Sequence, residues 1–353
     1  MKKVDYIIVG QGLAGSTLAW ELLNRHRSVV VFDEPLSNRA SRIAAGICNP
    51  ITGKGMVSTY KADLLFPFLH QFYSNAERIL GRKFFQPLSV YRPFISNEEM
   101  LQWNAKSQRR ELSDFVARIY QSPHMEQAIH DPFGGMEIRQ SGYLRVTEWI
   151  DAIRHLLLSK DAYRNERFRE NELKVDDSIA YGDFISKKIV FCNGLAALES
   201  NWFRWLPLRP LKGEILEVNI PFVPHHIFSR GIYIVPSLKD ENFLVGSTYQ
   251  HPPYSEGPTE AVSFELQTKL RDLIKLPFKV LHQDWGIRPT VTDRRPLLGH
   301  HPVNKNVIIF NGLGTKGVSL APYFARCLAD WMDGGEDLPQ EVNICRFKSL
   351  YSG

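Results

Sequence analysis

A chain of 353 residues exceeds the usual size of one domain, so two domains are expected. Hydrophobic residues make up 44% of the chain and charged residues 23%, which excludes a disordered or fibrous protein. The net charge of +5 allows anionic ligands, but it is far from the dense Lys/Arg stripe typical of proteins that bind nucleic acid.

The four cysteines, Cys48, Cys192, Cys327 and Cys345, are far apart. No CxxC or CxxxC pair exists, so no metal site is expected. Unclustered cysteines suggest a reducing compartment, and we expect all four to be buried as small hydrophobic residues. The N-terminal apolar run is too short for a signal peptide, and no apolar run is long enough to span a membrane. A cytoplasmic location is therefore expected.

The chain begins with the pattern of a βαβ unit. Residues 4–9 (VDYIIV) predict a buried strand, and the apolar residues of the following segment, 13–23, recur at helical spacing. Residues 28–34 (SVVVFDE) predict a second strand that ends in acidic residues.

A GxGxxG motif, GQGLAG, connects the first strand to the helix. Gly10 permits the tight turn, Gly12 lets the backbone approach a pyrophosphate, and Gly15 lets the helix pack close to the strand. Asp33, at the end of the second strand, can accept hydrogen bonds from both hydroxyls of a ribose. The combination predicts a dinucleotide site at the N-terminus of the helix. The alternative is a tight strand–helix turn without a ligand.

The segment after the second strand favours FAD over NAD. A simple NAD enzyme would continue with further βα units, whereas this chain continues with NRASRIAAGICNP, residues 38–50. Here the hydroxyl of Ser41 and the guanidinium of Arg42 could bind phosphate oxygens. The alternative for Arg42 is a solvated arginine in a loop.

Strand and helix patterns then alternate along the chain. Residues 89–94 predict a strand, and residues 141–160 predict a strand followed by a helix with Thr147 as its N-cap. Residues 187–194 (KKIVFCNG) predict a buried strand that enters a glycine turn.

The remaining patterns predict an antiparallel sheet and a final strand–turn–helix unit. The segments GEILEVNI, GIYIVPS and NFLVGSTYQ have strand length with turn residues between them. Residues 306–332 predict a strand, a glycine turn and a helix from about Leu320. Because nucleotide-binding and β-rich segments interleave, we expect two domains that each collect non-contiguous pieces.

The order of the motifs resembles that of the D-amino-acid-oxidase-like FAD-dependent oxidoreductases, which include glycine oxidase, sarcosine oxidase and the oxidase domain of the tRNA methylaminomethyl-thiouridine enzyme. The motifs that carry the resemblance, besides the N-terminal start, are ASRIAAG, SGYLRVTEWIDAI, IVFCNG, PLRPLKGEIL, GIYIVP, FLVGST, GIRPTVTDRRPLLG and NGLGTKGVSLAP. The likeness covers nearly the whole chain and is weakest over residues 60–140.

The resemblance implies an α/β fold with a Rossmann-like FAD/NAD(P)-binding domain of the glutathione-reductase type and an interleaved antiparallel-sheet substrate domain. The expected FAD-binding domain comprises residues 1–85, 142–212 and 285–353. The expected substrate domain comprises residues 86–141 and 213–284.

The resemblance also implies a substrate site. In glycine-oxidase-like members the arginine of the RP dipeptide binds the substrate carboxylate, and Arg288 is the matching residue. A planar guanidinium suits a carboxylate bidentately, and Pro289 stiffens the backbone behind it. Tyr233, in GIYIVP, matches a tyrosine whose hydroxyl binds the same carboxylate. The alternatives are a structural ion pair for Arg288 and a core aromatic for Tyr233.

The glycine turn of NGLGTKGVSLAP is expected to face the flavin. Gly312, Gly314 and Gly317 let backbone amides approach a ligand, and the following helix would direct its positive end at the pyrimidine edge of the flavin. Lys316 could add a full charge there and is the third candidate catalytic residue, with a surface lysine as the alternative.

The complete set of expected cofactor-binding residues is Gly10, Gly12, Leu13, Ala14, Gly15, Asp33, Glu34, Ser41, Arg42, Gly46, Val175, Asn193, Gly194, Gly312, Gly314, Thr315, Lys316, Gly317 and Val318. Some family members attach FAD through a cysteine. No cysteine lies in residues 286–318, so non-covalent FAD is expected.

Polar residues close to Arg288 in the sequence are expected to have smaller roles. Arg294 and Arg295 are expected on the surface or between the domains, and Asp293 is expected to order their turn. The sequence does not decide whether Tyr249, His251, His300 or His301 line the active site.

Three functions remain open at this point. The first is FAD-dependent oxidation of the C–N bond of a small amine or amino acid, by hydride transfer to flavin N5 and hydrolysis of the imine, with dioxygen as a candidate acceptor. The second is oxidation of a carboxymethylaminomethyl group on a tRNA wobble uridine, which the turn GTKG favours through its likeness to a GSRG turn. The third is a non-catalytic flavin-binding protein.

Overall fold

The computed structural model describes residues 1–34, 40–53, 57–125, 127–223, 225–237 and 241–352. The contacts of the chain divide it into two compact units. The first unit comprises Met1–Arg42, Val146–Leu211 and Ile287–Gly353. The second unit comprises Ile43–Arg145 and Lys212–Gly286. Among the helices within these described ranges, none combines the length and apolar character that crossing a membrane requires.

The helices and strands are numbered in chain order. The helices are α1 (Leu13–Asn24), α2 (Ala40–Ile43), α3 (Ala62–Leu80), α4 (Asn97–Lys106), α5 (Arg110–Ser113), α6 (Val146–Ser159), α7 (Glu260–Leu273) and α8 (Gly317–Met332). Short 3-10 helices span Glu170–Glu172, Gly194–Leu198 and Ile344–Leu350. The strands are β1 (Lys2–Val9), β2 (Val29–Asp33), β3 (Ile47–Cys48), β4 (Ile51–Thr52), β5 (Val57–Ser58), β6 (Phe85–Pro87), β7 (Val90–Pro93), β8 (Val116–Tyr120), β9 (Gly135–Ile138), β10 (Gly142–Leu144), β11 (Tyr163–Asn165), β12 (Lys174–Val175), β13 (Ile179–Tyr181), β14 (Phe184–Phe191), β15 (Leu208–Asn219), β16 (Ile227–Arg230), β17 (Ile232–Pro236), β18 (Asn242–Gly246), β19 (Lys279–Val291), β20 (Leu297–His300) and β21 (Val307–Asn311).

The first unit is built on a sheet with a parallel centre. Strands β11, β2, β1, β14 and β21 pair in parallel in that order, β12 and β13 extend β14 as an antiparallel meander, and β20 pairs antiparallel with β21. Every residue of β2 is buried, as expected for a parallel strand covered on both faces. Helix α1 packs against α6 and α8 beside this sheet. The carboxyl ends of β1, β2 and β14 therefore meet at one edge, where open α/β sheets bind ligands.

The second unit is built on an antiparallel sheet. Its strands follow the order β19-β15-β18-β17-β16-β7-β9-β8, and β16 pairs in parallel with β7. Helix α7 packs on this sheet through Leu266, Leu270 and Leu273, which recur at helical spacing and are fully buried. A smaller sheet, β3-β10-β6, and the β4–β5 pair complete the unit.

The predicted fold class is confirmed, together with the βαβ start, the antiparallel middle strands and the final strand–turn–helix unit. Three local predictions are wrong. Thr147 is not an N-cap, because α6 begins one residue earlier at Val146, and the Thr147 hydroxyl donates to the carbonyl of Arg42 instead, at 3.4 Å. Helix α8 begins at Gly317 rather than Leu320, and not all cysteines are buried, since Cys345 is exposed and Cys327 half-buried.

Residues 43–85, which the sequence assigned to the FAD-binding domain, belong to the second unit. Strand β3 pairs with β10, and α3 packs on β6, which is also a partner of β10. The short strands of this segment carry little sequence signal, because two-residue strands show no periodicity.

A buried ion pair lies at the start of the second unit. The Lys212 ammonium is 2.9 Å from the Glu214 carboxylate, and both side chains are essentially inaccessible. Lys212 also donates to the carbonyls of Ser255 and Gly257, at 3.0 and 2.7 Å. Glu214 accepts from the Thr259 amide at 2.8 Å. The pair thereby fixes the loop between β18 and α7 to β15.

We predict that Lys212→Met destabilises the protein by about 3–5 kcal/mol, because it leaves the Glu214 carboxylate buried without a counter-charge. Lys269→Met is the matched control, since Lys269 pairs with Glu265 on the surface of the same unit, where such a pair contributes about 1 kcal/mol or less. Urea unfolding of both variants measures the difference. Equal stabilities of the two variants would contradict the predicted cost of leaving Glu214 unpaired.

Candidate active site and cofactor cradle

The GxGxxG turn leaves no space for side chains at two of its glycines. Gly10 has φ +94°, and a Cβ there would lie 2.7 Å from the carbonyl oxygen of Cys192. A Cβ on Gly15 would lie 1.9 Å from the carbonyl oxygen of Gly10. Only glycine fits at both positions, so α1 starts in direct contact with the ends of β1 and β14.

Helix α1 begins beside the hydroxyl of Ser41. Its N-cap, Gly12, has no side chain to satisfy the first amides, and the Leu13 amide donates to Ser41 Oγ at 3.1 Å. A Cβ on Gly12 would lie 3.2 Å from that oxygen. The helix N-terminus and an adjacent hydroxyl form an arrangement that suits a phosphate group.

Asp33, the last residue of β2, is the acidic residue that bonds to the glycine turn. Its side chain is 2% exposed, and one carboxylate oxygen accepts from the backbone amide of Gln11 at 2.9 Å. The Tyr163 hydroxyl lies 3.5 Å from the other oxygen. Glu34, by contrast, is exposed. Asp33 therefore fits a ribose-binding acid better than Glu34 does.

Arg42 has a partner that the sequence did not indicate. Its guanidinium donates to the carboxylate of Asp151 on α6 at 2.8 Å, and its side chain is 21% exposed. Its contact with a cofactor phosphate stays a prediction. The ion pair shows how the loop that carries Ser41 and Arg42 is held against α6.

A buried polar atom follows β14. Asn193 Oδ1 is buried and has no hydrogen-bond partner within the part of the chain that the structure describes. The next residue, Gly194, has φ +56°, and its carbonyl accepts from the Asn311 side chain at 2.8 Å. An acceptor without a protein partner at the carboxyl end of a central strand is consistent with a polar ligand there.

The N-termini of α1 and α8 meet. A Cβ on Gly317, the first residue of α8, would lie 2.8 Å from the side chain of Leu13, the first residue of α1. Gly312 has φ +71°, and a Cβ there would lie 2.6 Å from the Val291 side chain. Two positive helix ends therefore lie side by side, as an anionic dinucleotide would require.

Lys316 is the N-cap residue of α8. Burial lowers the pKa of its ammonium, and the positive charges of Arg294 and Arg295 lower the pKa further. The turn that carries these arginines is ordered as expected, because the Asp293 carboxylate accepts from the Arg295 amide at 3.0 Å. Positive charge is thus concentrated beside the start of α8.

The other predicted residues have definite positions. Arg288 is half-buried on β19 in the first unit, and Tyr233 is half-buried on β17 in the second, where it pairs with Gly246. Val175 ends β12 and packs half-buried against the core of the first unit. Gly46 has φ +76° and lies against β10, since a Cβ there would lie 1.8 Å from the Leu144 carbonyl oxygen. Their roles toward cofactor and substrate stay predictions, as do those of Ala14, Thr315 and Val318.

The adjacent residues His300 and His301 pack against aromatic rings. His301 is 4% exposed and packs edge-on against Trp202 and Tyr351, with ring centroids 5.1 Å apart in both cases. His300 stacks on Trp331. Burial, and secondarily the neighbouring His300, lower the pKa of His301.

The lowered pKa of His301 predicts a pH dependence of stability. The unfolded chain binds a proton near pH 6.5 that the folded chain resists, so stability should fall as the pH drops below that value. We predict that His301→Gln makes the free energy of unfolding less dependent on pH between 7 and 5. The exposed His130 supplies the control variant, His130→Gln. Chemical denaturation at each pH is the measurement, and an unchanged slope in His301→Gln would refute the prediction.

Sequence reasoning missed the residues around Asp33, namely Gln11, Arg154 and Tyr163. Asp151 and Arg154 stand three residues apart on α6, which puts them on one helix face. That spacing is a usable signal, but it does not show which strand end the helix face approaches.

The sequence is similar to those of known proteins. A sequence model described as FAD dependent oxidoreductase (DAO) matches residues 5–331. The glycine oxidase of Pseudomonas putida is 24% identical over 353 residues, covering 94% of this chain and 95% of its own. The bifunctional protein ThiO/ThiG of Trichormus variabilis is 26% identical, and the chain spans about half (52%) of its length. The tRNA 5-methylaminomethyl-2-thiouridine biosynthesis bifunctional protein MnmC of Leptospira borgpetersenii is 24% identical, with 96% of this chain and 58% of that protein covered.

Solved structures share the fold at lower identity. Glycine oxidase from Geobacillus kaustophilus superposes with a TM-score of 0.79 at 18% identity, over the full length of both chains (100%). Iminodiacetate oxidase from Chelativorans sp. BNC1 superposes with a TM-score of 0.79 at 19% identity, over 97% of this chain and 98% of its own. The family match spans nearly the whole chain, and the glycine turn, the buried acid and the paired helix ends suit its cofactor, FAD. The chain belongs to the DAO family of FAD-dependent oxidoreductases.

Proposed function

We propose that this enzyme oxidises the C–N bond of a small amine or amino acid that carries a carboxylate. The observation that carries the proposal is a hydrogen bond from the Gly314 amide to the Pro289 carbonyl, 3.1 Å long. It joins the strand segment of Arg288 directly to the glycine loop that precedes α8. A carboxylate-binding guanidinium on that segment would lie beside the loop expected to face the flavin.

Each candidate residue has a distinct task in this proposal. The planar guanidinium of Arg288 binds the substrate carboxylate through two parallel hydrogen bonds. Tyr233 is kept as the second substrate-binding candidate that the family resemblance implies, with its hydroxyl as a hydrogen-bond donor and its ring as an apolar surface. Bound FAD supplies the hydride acceptor, flavin N5, and the imine product hydrolyses in water. Dioxygen is the proposed final electron acceptor.

Lys316 and the first amides of α8 supply positive charge. In this proposal they stabilise the negative charge that develops at the pyrimidine edge of the flavin during reduction. Burial lowers the pKa of Lys316, and the nearby charges of Arg294 and Arg295 lower it further, so an anion bound there would reduce the repulsion among these cations.

We further propose that FAD is held without a covalent bond. Cys48 and Cys192 are fully buried, and burial raises the pKa of both thiols well above the usual range. Cys48 Sγ moreover lies 3.3 Å from the Gly142 carbonyl, within its own unit. Both thiols are therefore poor nucleophiles.

The names of the relatives support this substrate class. Glycine and iminodiacetate, which appear in those names, share an amine and a carboxylate. The match to the tRNA biosynthesis protein favours a second candidate, oxidation of a carboxymethylaminomethyl group on tRNA. Binding of tRNA that weakens steeply with salt would favour that candidate, whereas no binding at low salt would remove it.

We predict that Arg288→Met weakens the apparent affinity for a carboxylated amine by about 1.5–3 kcal/mol, which is roughly ten- to 150-fold, because a charged hydrogen-bond pair is lost. Anaerobic flavin reduction as a function of substrate concentration is the measurement. The effect should be absent for an amine of similar size without a carboxylate.

Arg271→Met is the matched protein control, because Arg271 lies exposed on α7 and bonds only weakly to Gln267, at 3.4 Å. It should leave both affinities unchanged. Equal affinity of the Arg288 variant and the wild type for the carboxylated substrate would overturn the role of Arg288, and reduction of the flavin by neither kind of amine would overturn the proposed reaction.

A further inference from the structure

Charged residues on α6 form a network next to Asp33, the expected ribose-binding acid. The Arg154 guanidinium donates from Nε to the Gln11 side-chain oxygen at 3.0 Å and lies 3.8 Å from the Asp33 carboxylate. It also lies over the ring of Tyr163, 5.3 Å from the centroid. Tyr163 in turn directs its hydroxyl at Asp33. The contacts of Arg154 thus converge on the groups around Asp33.

Gln11, the first variable residue of the GxGxxG motif, is hydrogen-bonded on several sides. Its backbone amide donates to Asp33, and its side-chain amide donates to Ser16 Oγ at 3.1 Å and to the Ile150 carbonyl at 2.8 Å. Arg154 donates to its remaining side-chain oxygen. Gln11 is 2% exposed, so these bonds fix its position in the absence of water.

The outer end of the network reaches the loop of Ser41. Asp151 lies 3.8 Å from Arg154 and accepts from Arg42 at 2.8 Å. Arg42 follows Ser41, whose hydroxyl accepts from the first amide of α1. Positive and negative groups therefore alternate from this loop through α6 to Asp33, and Arg154 is the link that contacts the acid.

We propose that Arg154 is a positioning residue for the adenosine ribose of FAD. It fixes Gln11 and Asp33, so that the Asp33 carboxylate keeps the orientation in which it receives the ribose hydroxyls. The effect is indirect, because Arg154 acts through Asp33. The inference rests on FAD as the cofactor of the family and is independent of which substrate the enzyme oxidises.

The experiment tests whether the contribution of the ribose hydroxyls to FAD binding depends on Arg154. Apoproteins of the wild type and Arg154→Met are titrated with FAD and with the FAD analogue whose adenosine is 2′,3′-dideoxyadenosine, and flavin fluorescence gives each Kd. In the wild type the analogue should bind at least about tenfold more weakly, because Asp33 loses its charged hydrogen bonds. In Arg154→Met the two ligands should differ by only a few fold.

Arg25→Met is the matched control. Arg25 has the same 21% exposure as Arg154 and pairs with Glu21 and Asp330, at the opposite end of α1. This variant should keep the wild-type ratio of the two Kd values. A merely structural defect in Arg154→Met would weaken both ligands by the same factor and leave that ratio unchanged, and this result would overturn the proposal.

Arg154→Lys provides a second variant if Arg154→Met yields no folded apoprotein. A lysine keeps the charge, but it cannot bond Gln11 and approach Asp33 at the same time. The ratio of the two Kd values should fall below that of the wild type, and an unchanged ratio would again overturn the proposal. Neither titration involves a substrate, so failure here is distinct from failure of the proposed reaction.

Discussion

The close approach of two helix N-termini is the constraint on which the cofactor cradle depends. Gly317 has no side chain, and this allows the first turn of α8 to contact Leu13 at the first turn of α1. Helix α1 follows β1 and helix α8 follows β21, two parallel strands that flank β14 in one sheet, and the glycines at positions 10 and 15 hold α1 against that sheet. Two positive helix ends side by side repel each other, and an anionic dinucleotide bound between them would offset that repulsion.

Charge in the first unit is distributed around that constraint. A buried carboxylate, Asp33, accepts from the glycine turn and is surrounded by Gln11, Tyr163 and Arg154, which suits a neutral sugar with hydroxyl donors. Near the start of α8 the local charge is positive instead, since Lys316 lies near Arg294 and Arg295; burial lowers the pKa of Lys316, and the charges of the two arginines lower it further. In the proposed function, the end at Asp33 would receive a hydroxylated ribose, and the end at Lys316 would receive a group that gains negative charge, as a flavin does when it is reduced.

Much of this cradle could be predicted from the sequence because its parts are local. A strand, a glycine turn and a helix follow one another within a few residues, so Gly10, Gly15 and Asp33 carry their own signal. Contacts between segments that are far apart in the sequence leave no such signal. The pairing of Arg42 with Asp151, the buried Lys212–Glu214 pair and the membership of residues 43–85 in the second unit all depend on chain packing. Even local rules failed where packing dominated, as at Thr147, whose hydroxyl bonds a carbonyl across the fold rather than capping its own helix.

The central claim is that a FAD-loaded chain accepts electrons from a small carboxylated amine. The most direct test is anaerobic titration of the purified holoenzyme with glycine, sarcosine, proline and D-amino acids while the flavin absorbance is recorded. We expect that at least one of these compounds bleaches the flavin band and that readmitted dioxygen restores it. A flavin that stays oxidised with every compound would contradict the claim.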